Sequence, residues 1–143
     1  MSRSSIPRAL RREVQRRDAD RCLYCGLLQV GQGATFHVDH VLPRSRGGAT
    51  SLDNLVLQCP YCSLHKADRT HAKEPDMGEE LPLFHPLRQR WEDHFHLEPD
   101  ATITGVSGIG RATVAALRMN DSIPLLARRC EMALGLFGGV AHG

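Results

Sequence analysis

The sequence predicts an α+β chain, and three observations carry that expectation. Between two Cys-x-x-Cys pairs, Cys22/Cys25 and Cys59/Cys62, the order reads strand, turn-rich loop, strand, helix. Ahead of the pairs runs an apolar stripe of helical spacing. Beyond them follow one alternating strand and two helical patterns, a C-terminal strand-plus-helices extension. The division falls near residue 73, giving units over 1–73 and 74–143. A length of 143 residues suits one domain, or a small domain with an appendage.

The elements follow in order. Residues 5–18 read as a helix, with Ile6, Leu10 and Val14 on one stripe and Pro7 in its first turn. "RCLYCG" is a turn closed by Gly26, and "LLQVGQGA" is a loop with two glycines. "TFHVDHV" is a strand, Phe36 and Val38 on one face and His37 and Asp39 on the other. "LPRSRGGATSLDN" is a long loop and "NLVLQC" a second strand. "CPYCSLHKADRTHAK" opens as a knuckle and continues as a helix. Residues 74–100 are acidic and Pro-rich, but Phe84, Trp91 and Phe95 mark them as wrapped onto the rest. "ATITGV" is a strand, and a helix begins near Ser107 with Ile109, Ala112, Ala116 and Leu117 on one face. "IPLLARRCEMALGLF" is a last amphipathic helix, with Cys130 expected in its core stripe.

Composition excludes some classes. The apolar runs are too short to span a bilayer, and the charged N-terminus lacks the apolar stretch of a signal peptide. A soluble, cytoplasmic protein is expected, in which paired cysteines imply metal before disulfides. Residues 1–73 hold 12 Lys/Arg against 6 Asp/Glu, and residues 74–143 hold 6 against 10. The basic first half suits a polyanion, nucleic acid above all.

Two Cys-x-x-Cys turns offer four thiolates, which fit a closed tetrahedral Zn²⁺ site. Such a site has no open position, so its role is structural. Cys22, Cys25, Cys59 and Cys62 would staple the N-terminal segment to the strand–helix unit.

"HVDH" at residues 37–40 puts three titratable groups in four residues. Phosphodiester hydrolysis needs a base, a cation and a group that orients the base. His40 can be the base, because a neutral imidazole exists near pH 7. Asp39 is a hard oxygen ligand for Mg²⁺ or Mn²⁺. Asn54 could tie down the loop across which His40 is placed. Arg44, Arg46, Lys66 and Arg69 could contact phosphates. Alternation turns Asp39 and His40 to opposite faces, so the strand must end or twist at His40.

With "CLYC" before it, "HVDHVLPRSRGGATSLDNLVLQCPYCSLHK" resembles the HNH endonucleases. The resemblance covers about residues 20–70. Weaker likenesses extend to "IPRALRREVQRR" and to "PLFHPLRQRWEDHF…GRATVAALRMN". It implies a ββα-metal domain of the four-cysteine zinc subgroup, of bacterial type, cutting DNA, with double-stranded DNA as the leading partner. His40 would be the general base, Asp39 a ligand of the catalytic metal, and Asn54 the residue holding the loop. One position departs. After the fourth cysteine the family usually has Asn or His as second metal ligand, and here stands Ser63. Ser63 then ligates weakly or through water, His65 swings in as a substitute, or the site is attenuated. The first is the leading expectation, although His65 lies about 200° round the helix from Ser63. An attenuated site would leave a zinc-stabilised DNA-binding module. An RNA target is disfavoured, because few aromatics are available to stack splayed bases.

"GVSGIG" is neither a G-x-S-x-G elbow nor a full G-x-G-x-x-G. It reads as a strand-to-helix turn capped by Ser107 rather than a helix-hairpin-helix. His71, His85, His94, His96 and His142 show no ligand spacing and receive no role. Trp91 is expected in the core.

Overall fold

The computed structural model describes residues 6–29 and 35–137. Gly31, Gly33 and His142 lie outside them. Among the described residues no helix is long and apolar enough to cross a membrane.

The first helix, α1, spans Arg8–Arg17. It starts later than expected because Pro7 keeps an extended backbone and caps it. Ile6 and Val14 are buried as their spacing predicts. The end of α1 is pinned rather than frayed. Arg17 donates to the carbonyls of Leu52 at 2.6 Å and Leu55 at 2.5 Å. It also pairs with Asp18 at 2.7 Å. The buried Asp18 carboxylate accepts from Leu57 N at 2.8 Å.

Strand β1, His37–His40, pairs antiparallel with β2, Leu55–Gln58. His37 faces Gln58 across the ladder and His40 faces Leu55. Phe36 and Val38 point into the core, and His37 is exposed. β2 is buried along its length. Helix α2, Pro60–Lys66, starts on Cys59, whose Sγ accepts from Cys62 N. The sequence implied a longer helix. It stops because Ala67 takes φ 50° and turns the chain. His71–Lys73 is instead a strand, β3, paired with β4 at Glu80–Pro82.

The acidic segment is packed down as expected. Phe84, Trp91 and Phe95 are all buried, with Phe84–Phe95 centroids 5.0 Å apart and Trp91–Phe95 5.1 Å. Trp91 Nε1 donates to Tyr24 O at 2.9 Å, joining this segment to the first cysteine turn. It also contains β5, Phe95–Leu97, which pairs with β6, Ile103–Gly105. The sequence showed only the second of these two strands.

Helix α3, Gly108–Leu117, begins on Ser107, whose Oγ accepts from Gly110 N at 2.9 Å. A Cβ at Gly110 would sit 1.9 Å from His94 O, so only glycine allows this turn to close. α4 spans Ser122–Ala133. Here one expectation fails: Cys130 is exposed. The inward face is Pro124, Arg128 and Glu131 instead. The fully buried Arg128 donates to the carbonyls of Ala101 and Met119 and to Asn120 Oδ1, each at 2.8 Å. Glu131 accepts from Leu28 N at 3.1 Å. These polar demands turn the apolar stripe of Ile123, Leu126 and Cys130 outward.

Another buried charge ties α3 to the β3–β4 hairpin. Glu74 accepts from Arg111 Nε at 2.7 Å and from Met77 N at 2.6 Å. The Arg111 hydrogen bond holds the Glu74 carboxyl below its ordinary value of 4.5. The folded pKa is depressed, so this contribution to stability is present above the ordinary glutamate range. It is lost as pH falls through the folded value. Glu74→Gln should therefore unfold at lower urea than wild type at pH 7. The gap should narrow as urea midpoints are followed down to about pH 3. A gap independent of pH would refute the pairing.

Candidate active site

The site grows from the end of β1. An open cleft of about 1340 Å³ runs beside β1 and the start of α2, lined by His37, Asp39, His40 and Ser63. Arg11 of α1, Arg44 and Asp68 also line it, so two arginines stand with two carboxylates along its walls. Asp39 and His40 thus reach one cleft although they are neighbours on a strand. They can because β1 ends at His40, as alternation required.

The loop beyond β1 is held by Asn54. Its Oδ1 accepts from Leu42 N at 2.9 Å. Its Nδ2 donates to Leu42 O at 3.0 Å and Ala49 O at 2.9 Å. Asn54 O accepts from Val41 N at 2.9 Å. One amide side chain therefore closes a loop that starts two residues after His40. The glycine pair serves the same closure. Gly47 takes φ 90°, and a Cβ at Gly48 would lie 1.7 Å from Leu42 O.

His40 Nε2 lies 2.9 Å from Thr50 Oγ1, on the same loop. With Nε2–H donating to that hydroxyl, Nδ1 keeps the lone pair. Burial first, then the Arg44 charge, push the imidazole below its ordinary 6.5. His40 is thus neutral near pH 7. Thr50 is a contact that no spacing in the sequence announced.

Asp39 faces α2. Ser63 Oγ donates to Asp39 Oδ2 at 2.6 Å, and His37 Nδ1 lies 3.1 Å from Ser63 Oγ. The departing position is therefore in contact with the aspartate. His65 is not. Its Nδ1 donates to Tyr61 O at 2.8 Å, and its ring packs 4.4 Å from that of Tyr61. Its Nδ1 is thus committed to its own helix and not to Asp39.

The expected phosphate contacts divide. Arg44 and Arg46 are exposed in a 3-10 turn, and Arg44 reaches the cleft. Lys66 must be corrected: it is buried, and its Nζ donates to Val41 O at 3.0 Å. A cation spent on a backbone carbonyl inside the fold cannot meet a phosphate. Arg69 donates to the carbonyls of His65 and Ala116, the second at 2.9 Å, which links α2 to α3.

Behind the cleft, Cys22, Cys25, Cys59 and Cys62 are all buried, their Sγ atoms within 4.8 Å of one another. Cys25 and Cys59 are 3.7 Å apart. An ion bound tetrahedrally by thiolates at about 2.3 Å separates its sulfurs by about 3.8 Å. The cluster fits such an ion. Among themselves, hydrogen bonding with Cys22 and then Cys59 pushes Cys25 up, and hydrogen bonding with Cys22, Cys25 and Cys59 pushes Cys62 up. Four thiolates at this spacing need a cation.

Residues 22–69 match the family model described as HNH endonuclease. This stretch is an HNH domain. The matched residues run from the first cysteine turn through α2 and contain both the sulfur cluster and the Asp39–His40 strand end. The fold is ββα-metal in kind, with β1, β2 and α2 as its three elements. No curated protein and no solved structure matches the chain.

Proposed function

We propose that the chain is a metal-dependent endonuclease that hydrolyses DNA phosphodiester bonds. One observation carries the reading: Asp39 and His40 open on a single cleft that Arg11 and Arg44 also line, while Asn54 closes the loop behind them. His40, held at Nε2 and neutral, takes a proton from water at Nδ1. Asp39 would hold Mg²⁺ or Mn²⁺, which supplies charge stabilisation to the scissile phosphate and leaving oxygen. Arg11 and Arg44 draw the backbone into the cleft, and Arg46 extends the basic surface. Zn²⁺ in the four-cysteine cluster holds the two ends of the domain together and takes no part in the reaction. Reduced, metal-bound cysteines suit a cytoplasmic setting.

A second reading rests on Ser63. Its hydroxyl already occupies Asp39 Oδ2, and a domain without full metal chemistry would bind DNA and leave it uncut. Plasmid nicking separates the two. Supercoiled DNA should become nicked or linear only when Mg²⁺ or Mn²⁺ is added. Binding with no cleavage under any divalent metal would establish the second reading.

A further inference from the structure

The departure at Ser63 leaves the cleft short of one strong ligand, and the structure offers another within reach. His37 stands two residues before Asp39, on the same face of β1. Its ring is about half exposed, at 48%, and lines the cleft. His37 Nδ1 is 3.1 Å from Ser63 Oγ and 4.0 Å from Asp39 Oδ2, and Ser63 Oγ is 2.6 Å from Asp39 Oδ2. Three donor atoms of different chemistry therefore lie within 4.0 Å of one another. An octahedral ion with bonds of about 2.1 Å separates adjacent ligands by about 3.0 Å. The three measured edges bracket that value, so small side-chain rotations would seat an ion.

We propose that His37 is a ligand of the catalytic metal, standing in for the donor missing at position 63. This rests on the nuclease reading above. It adds a consequence for metal choice. A site of carboxylate, hydroxyl and water favours Mg²⁺, whereas an imidazole nitrogen favours later transition metals such as Ni²⁺. His37 thus tilts this cleft toward nitrogen-seeking cations. Arg11 and Arg44 line the same cleft and oppose a cation there, while Asp68 lines it too and favours one. Ser63 keeps Asp39 oriented from the α2 side.

Calorimetric titration tests this on the intact, zinc-loaded protein without DNA. Ni²⁺ and Mg²⁺ are titrated separately into wild type and His37→Ala. Zinc content checks that both proteins are folded and that Ni²⁺ has not displaced it. His37→Ala should weaken Ni²⁺ by about tenfold or more while leaving Mg²⁺ within about twofold. Unchanged Ni²⁺ binding, or equal weakening of both metals, would overturn the proposal. The outcome is independent of cleavage. A His37-dependent Ni²⁺ site in a protein that never cuts DNA would fail the nuclease reading alone. Cleavage with a neutral His37 would fail this proposal alone.

Discussion

His40→Ala is expected to lower the rate of metal-dependent plasmid nicking by about 10²- to 10⁴-fold, the usual worth of a placed general base. Binding of the plasmid should barely change. The ring lines the cleft, but the cationic walls belong to Arg11 and Arg44. The fold should survive as well, since His40 contributes one side-chain hydrogen bond, to Thr50. That bond supplies an internal control. Thr50→Val removes the acceptor at 2.9 Å and leaves both ring nitrogens free to exchange the proton. It should slow cleavage by less than His40→Ala does. Undiminished nicking by His40→Ala would remove this residue from the chemistry.

The second large effect is on the fold. Binding of a structural Zn²⁺ by four thiolates is worth about 10–16 kcal/mol. Whole domains are stable by only about 5–15 kcal/mol. Loss of the ion should therefore abolish the folded HNH unit rather than soften it. Cys22 and Cys25 come before β1, and Cys59 and Cys62 after β2, so the ion is the clasp that closes the hairpin. Chelation, or Cys62→Ser, should remove the cooperative thermal transition followed by circular dichroism. A chelated protein that melts like the untreated one would refute the role of the cluster. Cys130→Ser is the contrast, because Cys130 is exposed and outside the cluster, and it should melt as wild type.

Much of this site is legible in the sequence because its signals are local or strictly periodic. Two cysteine turns of fixed spacing declare a metal cluster. Period-two alternation places Val38 inward and His37 and Asp39 outward. Ser107 before a helical run declares a cap, and its Oγ is found on Gly110 N. The failures share a physical cause: the deciding partner is distant in the chain. β3, β4 and β5 lack the alternating run that "ATITGV" gives β6, and exist through their pairing. Cys130 lies on an apolar stripe, but carbonyls at Ala101 and Met119 demand Arg128 on the inside. Lys66 looks like a surface cation until Val41 O supplies a buried acceptor. His37 was in view as Asp39's neighbour on one face, but only α2 brings Ser63 against both.

The buried Lys66 has a mechanical role. α2 touches the end of β1 at two points one helical turn apart: Ser63 on Asp39 at 2.6 Å and Lys66 on Val41 O at 3.0 Å. His40 is the residue between those two anchor points. It behaves like a span carried on two piers, and neither pier can shift without the other because both stand on one rigid rod. Sliding or tilting α2 therefore moves the imidazole as a passenger. Leu64, between the anchors, is exposed and lines the cleft. A shorter or longer stem at position 66 would instead re-aim His40 without touching the cleft.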